Sequence, residues 1–312
     1  MRTASRWRHL LGSAGLMLLL VTQGQSALAG TIVRISTSIG DFSIELLDAE
    51  APLTVSNFLN YVTRNDYNAT FLHRVVDDFV MQGGAYRFER FVGPVDVPTD
   101  PPIPNEFGTP NTRGTVAMAK VPDEPDSATS QWFVNISDNT ELDSNNGGFT
   151  VFGNVLGEGM TVVDAIDALP TINPGRLVPS APFFTDSYTG PWDFVYINAE
   201  ITQRFSSAPH VLETVTGLMI TSVDVDSGEE FISLNLNALP DTETLTLEAN
   251  LESVIARREF EGMASYSSSD GRLRIPTLEV NDAGNVFLVN DVVFLQINDN
   301  PARFQLESYA TP

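Results

Sequence analysis

The chain has 312 residues, 42% of them apolar, which leaves room for a short leading segment and about two domains with packed cores. Forty acidic against 17 basic residues give a formal charge of −23, a balance that excludes nucleic acid as a partner, because phosphate backbones are neutralised by clustered lysine and arginine. The complete absence of cysteine removes disulfides, thiol chemistry, zinc–thiolate sites and a lipid-bearing cysteine anchor in one step.

The N-terminus reads as an export signal over residues 1–29. Arg2, Arg6 and Arg8 form a basic head, Leu10 to Val21 an apolar stretch too short to span a bilayer, and Ala27-Leu28-Ala29 a small-residue cleavage site. The mature chain is expected to begin near Gly30, to be periplasmic or secreted, and to lack stable membrane insertion. Thr31–Ser36 and Asp41–Leu47 alternate as a hairpin around the turn at Ser38–Asp41. A helix follows, opened by Pro52, with Val55, Phe58, Leu59 and Val62 on one apolar stripe.

The next run, FLHRVVDDFVMQGG from Phe71 to Gly84, predicts two strand pieces and carries the most chemical information. It sets one cation, Arg74, among apolar residues and closes with Gln82, Gly83 and Gly84. A half-buried arginine is costly unless it has a partner or a ligand to meet. Taken singly, Arg74 could equally lie along the surface, and His73 could be a hydrogen-bonded structural residue. Gly93–Pro110, rich in proline and glycine, predicts a loop containing Asn105-Glu106-Phe107. Gly114–Ala119 and Gln131–Val134 predict further strands on either side of an acidic loop. Asp143, Asn145 and Gly147 partly echo a calcium loop but lack its later glutamate, so a turn before the strand Phe149–Gly153 is the better reading. Met160–Leu169 predicts a short helix stopped by Pro170. A proline-rich insertion to Pro191 and a closing strand over Trp192–Ile201 follow.

In order and residue type, the Phe71–Gly84 run closely resembles the signature of the cyclophilin-type peptidyl-prolyl cis-trans isomerases, and the resemblance continues at Gln131–Phe133 and Val151–Gly153. It covers roughly residues 31–204. It implies a mainly β fold, a closed antiparallel eight-stranded barrel capped by two helices, over residues 30–205. It also implies prolyl isomerase activity on proline-containing polypeptides, with no cofactor and no metal, in a chain expected to be monomeric. Arg74, Gln82 and Phe79 take the catalytic positions. His73, Val80, Met118, Ala119, Lys120, Gln131, Phe133, Glu141, Leu142 and Phe149 take the substrate-binding ones. The sequence departs from better-known eukaryotic members at Val80 (methionine there), Lys120-Val121 (an Asn-Ala pair), Glu141 (tryptophan) and Phe149 (histidine).

Residues 206–312 change character. Strands are predicted at Leu218–Val225, Phe231–Leu236, Leu273–Val280, Val286–Ile297 and Phe304–Tyr309, punctuated by Asp226-Ser227-Gly228, Ser269-Asp270-Gly271 and Asp282-Ala283-Gly284. The pattern is that of a small all-β module with no catalytic constellation. Two other functions fit the same residues: a groove that holds proline segments without catalysis, and a surface or adhesion protein whose main role lies in this module.

Overall fold

The structure is a computed structural model that describes residues 30–173, 180–240 and 242–310. The expected export signal lies outside the described residues. Among the described residues no helix is long and apolar enough to cross a membrane.

The first body contains β1 (Ile32–Thr37), β2 (Asp41–Leu46), α1 (Pro52–Thr63), β3 (Thr70–Phe71), β4 (Arg74–Val76), β5 (Val80–Gly83), β6 (Tyr86–Glu89), β7 (Gly93–Asp96), β8 (Thr115–Met118), β9 (Trp132–Asn135), β10 (Val151–Val155), α2 (Gly159–Asp167), β11 (Thr171–Ile172), β12 (Ala181–Pro182) and β13 (Tyr196–Thr202). The hairpin, both helices and the two strand pieces of the Phe71–Gly84 run lie where the sequence puts them. Gly93–Asp96, expected as loop, is a strand paired with β6.

The expected closed ring of eight strands is not what forms. Eleven strands make one curled, open sheet in the order β4-β5-β9-β8-β10-β2-β1-β13-β3-β6-β7. The reason lies at Leu72 and His73, where the chain changes partners. Leu72 N–H donates to Val195 O at 3.0 Å and His73 N–H to Gln82 O at 3.2 Å, so β3 stays with β13 while β4 joins β5. The inner face buries Val33, Ile35, Ile44, Leu72, Met81, Val116, Trp132, Val134 and Phe152 under the apolar stripe of α1. Glu106 caps that helix, its carboxylate accepting from the Leu53 and Thr54 backbone N–H groups at 3.1 and 2.8 Å, where the helix dipole favours negative charge.

The second body contains β14 (Val211–Glu213), β15 (Leu218–Val225), β16 (Glu230–Ala238), β17 (Thr246–Ala256), β18 (Ala264–Ser267), β19 (Arg272–Asp282), β20 (Asn285–Asp299) and β21 (Ala302–Ala310). All five predicted strands are present. Here the sheet does close, because β14 pairs with both β15 and β19, and β18 also bridges those two. A separate apolar core fills it, with Met219, Leu236, Leu247, Ile275 and Phe294 among its members.

Strand alternation explains how the bodies meet. On β1, Val33 and Ile35 point into the first core and Arg34 points away; on β13, Ile197 and Ala199 point in and Asn198 and Glu200 out. The second body covers that polar face. Asn235 Nδ2 donates to Glu200 Oε1 at 2.5 Å, Asn198 Nδ2 donates to Ser253 O, and Arg258 N–H donates to Ser38 O at 2.9 Å. At the centre, Asp41 is shared by two arginines, Arg34 from its own hairpin and Arg257 from the second body, each at 2.5 Å. Burial alone would raise the Asp41 carboxyl, but Arg34 and then Arg257 more than offset it and hold the group below its ordinary value of 3.8.

Removing that shared charge should leave two buried guanidiniums without a counter-ion. Asp41→Asn is expected to cost about 3–5 kcal/mol, read from urea denaturation at neutral pH. Because the folded-state value is depressed, the Asp41 contribution is present above the unfolded value of 3.8 and lost as pH falls through the folded one, so the gap between parent and variant should narrow in acid.

Candidate active site

The candidate site is a row that the strand register lays across the outer face of the curled sheet. Arg74 on β4 stands opposite Gln82 on β5, Gln82 opposite Phe133 on β9, Phe133 opposite Ala117 on β8, and Ala117 opposite Val151 on β10. Residues directly opposite share a face, so one polar end and one apolar floor are fixed by pairing alone. At the polar end Arg74 Nη1 donates to Gln82 Oε1 at 3.3 Å, and Gln82 Nε2 donates to Gln131 Oε1 at 2.8 Å. Arg74 is half-buried and lies 6.0 Å from the centre of the Phe79 ring. No carboxylate among the described residues pairs with it, although the chain is strongly acidic. Burial lowers its pKa from the ordinary arginine value.

The apolar end is a cluster of its own. Val80, Ala117, Phe133, Leu142 and Val151 are buried together, with Phe79, Ala119 and Phe149 half-buried around them. Phe133 meets Phe149 edge to face at 5.9 Å. Val80 shares the face of Gln82 because it lies two residues away on the same strand. Glu141 is exposed on the short turn Thr140–Asp143, beside Leu142.

Three nominated residues fall elsewhere. Met118 is in the main core, packed on the opposite face with Trp132, its cross-strand partner; the alternation of β8 gives the groove floor to Ala117 instead. His73 is buried beneath the row, its ring edge-on to Tyr86 at 5.3 Å and its Nδ1 without a hydrogen-bond partner among the described residues. The Lys120 ammonium is engaged within the protein, donating to Asn146 O and Gly148 O at 2.7 Å each and lying 4.8 Å from the Phe149 ring centre. It therefore ties down the rim loop rather than offering its charge to a ligand.

The sequence reading passed over the frame of the groove. Asn135 donates to Thr115 Oγ1 and Asn111 Oδ1, Asn139 donates to Asn135 Oδ1 and Phe79 O, and Asn111 donates to Phe149 O. This buried amide chain sets the backbone at both aromatic rims, Phe79 and Phe149. An asparagine closing an otherwise apolar strand, as in Trp132–Asn135, was the signal available. The insertion contributes as well: Val75 N–H donates to Ser180 O at 2.8 Å, and Ser180 Oγ donates back to Val75 O, so the strand carrying Arg74 is held on both edges. Gly84, at φ +81, turns the chain away from β5 where a Cβ would meet Ser130 O at 2.5 Å.

A curled β-sheet bearing an arginine–glutamine pair beside an aromatic-rimmed apolar floor is the arrangement expected of the cyclophilin class. Residues 32–182 match the family model described as cyclophilin type peptidyl-prolyl cis-trans isomerase/CLD. A curated relative from Acinetobacter baylyi, named peptidyl-prolyl cis-trans isomerase, is 43% identical over 162 residues, covering 50% of this chain and 83% of its own. Peptidyl-prolyl cis-trans isomerase A of Dickeya dadantii is 40% identical, covering 52% and 85%, and isomerase B of Escherichia coli is 40% identical, covering 51% and 98%. The chain belongs to the cyclophilin-type peptidyl-prolyl cis-trans isomerase family. The match ends at residue 182, but β13 pairs with β1 and β3, so the folded unit continues through Thr202.

His73 titrates out of the ordinary range. Burial, reinforced by the Arg74 charge, lowers it from 6.5 to about 4. Its folded state thus resists a proton that the unfolded chain accepts, and its contribution to stability is lost as pH falls from 6.5 toward the folded value. By pH 4 that loss should be on the order of 3 kcal/mol, and His73→Gln should remove this part of the acid sensitivity in urea denaturation.

Proposed function

We infer that the first body catalyses cis-trans rotation about Xaa-Pro bonds in polypeptides, and that Arg74 supplies the catalytic charge. The observation that carries this reading is the half-buried Arg74, aligned with Gln82 beside the Phe133 floor and lacking any carboxylate partner among the described residues. A prolyl peptide bond rotates slowly because amide resonance opposes it, with a barrier on the order of 18–20 kcal/mol. As the bond twists, resonance is lost and the prolyl nitrogen gains a lone pair able to accept a hydrogen bond. A fixed guanidinium aimed at that nitrogen binds the twisted form more strongly than either planar one, which is differential transition-state stabilisation. No proton transfer and no covalent step is required.

The other residues divide the remaining work. Gln82 Oε1 accepts from Arg74 and orients it, while Gln131 accepts from Gln82 and fixes which way that amide points. Val80, Phe133 and Leu142, with Phe79, Ala119 and Phe149, provide the apolar seat for the proline ring. Glu141, exposed at the rim, influences which residues are accepted next to proline. The expected export signal supports a role on exported chains. The separate apolar cores of the two bodies support independent folding of residues 30–205, with 206–312 as an appended module.

Arg74→Ala should lower kcat/KM in a prolyl-peptide isomerisation assay on the order of a hundredfold, with the thermal melt little changed, because no structural carboxylate depends on the side chain. Arg74→Lys should rescue poorly, since an ammonium cannot reproduce the planar fork. Full activity in either folded variant would refute the assignment and favour a groove that binds without catalysis.

A chain cut after Ser206 should remain folded and active, melting at a lower temperature because Asp41 loses Arg257. An unfolded product would show that the polar interface, rather than the first core, carries the stability of this body.

A further inference from the structure

Between the two bodies lies a cavity of about 650 Å³ that the groove does not use. Its floor is the Arg34–Asp41–Arg257 cluster, in which two guanidiniums, 3% and 5% exposed, meet a single carboxylate. The buried charge does not balance. Hydrogen bonding is incomplete as well. Arg34 uses only Nη2, toward Asp41 and Ala208 O, and Arg257 only Nη1, toward Asp41 and Thr37 O. A guanidinium carries five N–H donors. Both Nε atoms are buried without an acceptor, and the hydrogen bonds of the two guanidiniums among the described residues run only through Arg34 Nη2 and Arg257 Nη1. An unpaired buried donor on a cation is costly, and two guanidiniums that each carry one, with a further Nη left over at the floor of the same cavity, point to a ligand for those Nη groups.

We propose that this cavity binds a monoanionic carboxylate borne on a small apolar group, its oxygens accepting from the Arg34 and Arg257 donors that Asp41 leaves unused. The start of α2 adds to the positive potential: Gly159 lines the same wall, and no side chain caps that nine-residue helix. Apolar walls come from Ile39, Val162, Phe205 and Phe260. Glu158 and Glu261 stand exposed at the rim. Solvated there, they screen poorly against a buried cation but repel multiply charged anions, which selects a carboxylate over a phosphate. Either a free aliphatic acid or the C-terminal end of a polypeptide carries this chemistry.

The test is isothermal titration of the full chain with hexanoate and with N-acetyl-leucine, each against its neutral counterpart, hexanol or N-acetyl-leucinamide. Saturable binding of an acid but not its neutral counterpart is expected, and whichever acid binds more tightly identifies the source. Arg257→Gln should weaken it at least about tenfold. Ser207 is exposed at the cavity wall and outside the ion cluster, so Ser207→Glu, which adds a carboxylate there without disturbing the fold, should weaken binding comparably. Circular dichroism melts confirm that each variant is folded. No saturable binding of either acid, equal binding of the neutral compounds, unchanged affinity in Ser207→Glu, or equally tight binding of inorganic phosphate would each overturn the proposal.

Discussion

The site depends on an arginine kept half out of water without a counter-ion. In a chain with 40 acidic residues, most cations near the surface find a carboxylate, as Arg64, Arg87, Arg113, Arg272 and Arg303 do. Arg74 instead meets the oxygen of Gln82 and the face of the Phe79 ring. A neutral acceptor orients the guanidinium without quenching its charge, and the Gln82–Gln131 bond prevents that acceptor from turning its N–H₂ toward the cation. Had a carboxylate stood in place of Gln82, the charge would be spent internally.

Holding this arrangement takes more structure than the row itself. β4 is only three residues long, and a strand of that length positions little by itself. It is secured by β5 on one edge and by Ser180 of the insertion on the other. The Asn111–Asn135–Asn139 chain does the same for the aromatic rims, at the cost of burying amides that must all find partners. The backbone of the groove is thus set by polar ties beneath it, while the floor itself is apolar.

The second body is attached by different physics. Its contact with the first is made by Arg34, Asp41, Asn198 and Glu200 against Asn235, Ser253, Arg257 and Arg258, and the two apolar cores remain separate. A polar junction of this kind specifies orientation through directional bonds, since a misplaced neighbour would leave buried charges unpaired. It also explains why β1 and β13 can carry polar residues on a face that is nevertheless buried.

The sequence by itself determined the family, the two helices and five of the six long strands of the second body, Thr246–Ala256 being the one it missed. Each rests on local information: an apolar stripe at helical spacing, a two-residue alternation, or the ordered run from Phe71 to Gly84. It did not show that Met118 faces the main core, because an ordered motif does not state which face a strand presents, and register with Trp132 and Phe133 decides that. It passed over Asn111, Asn135, Asn139 and Ser180, whose roles exist only once distant loops are brought together. It also expected a closed ring in the first body, where the chain's change of partner at Leu72–His73 leaves the sheet open, while in the second body closure arises from pairings made by β14 and β18, two short strands without a legible pattern. Local periodicity fixes what each segment can be; pairing between segments far apart in the chain is a property of the folded whole, and the Asp41 cluster with its unbalanced charge could only be decided there.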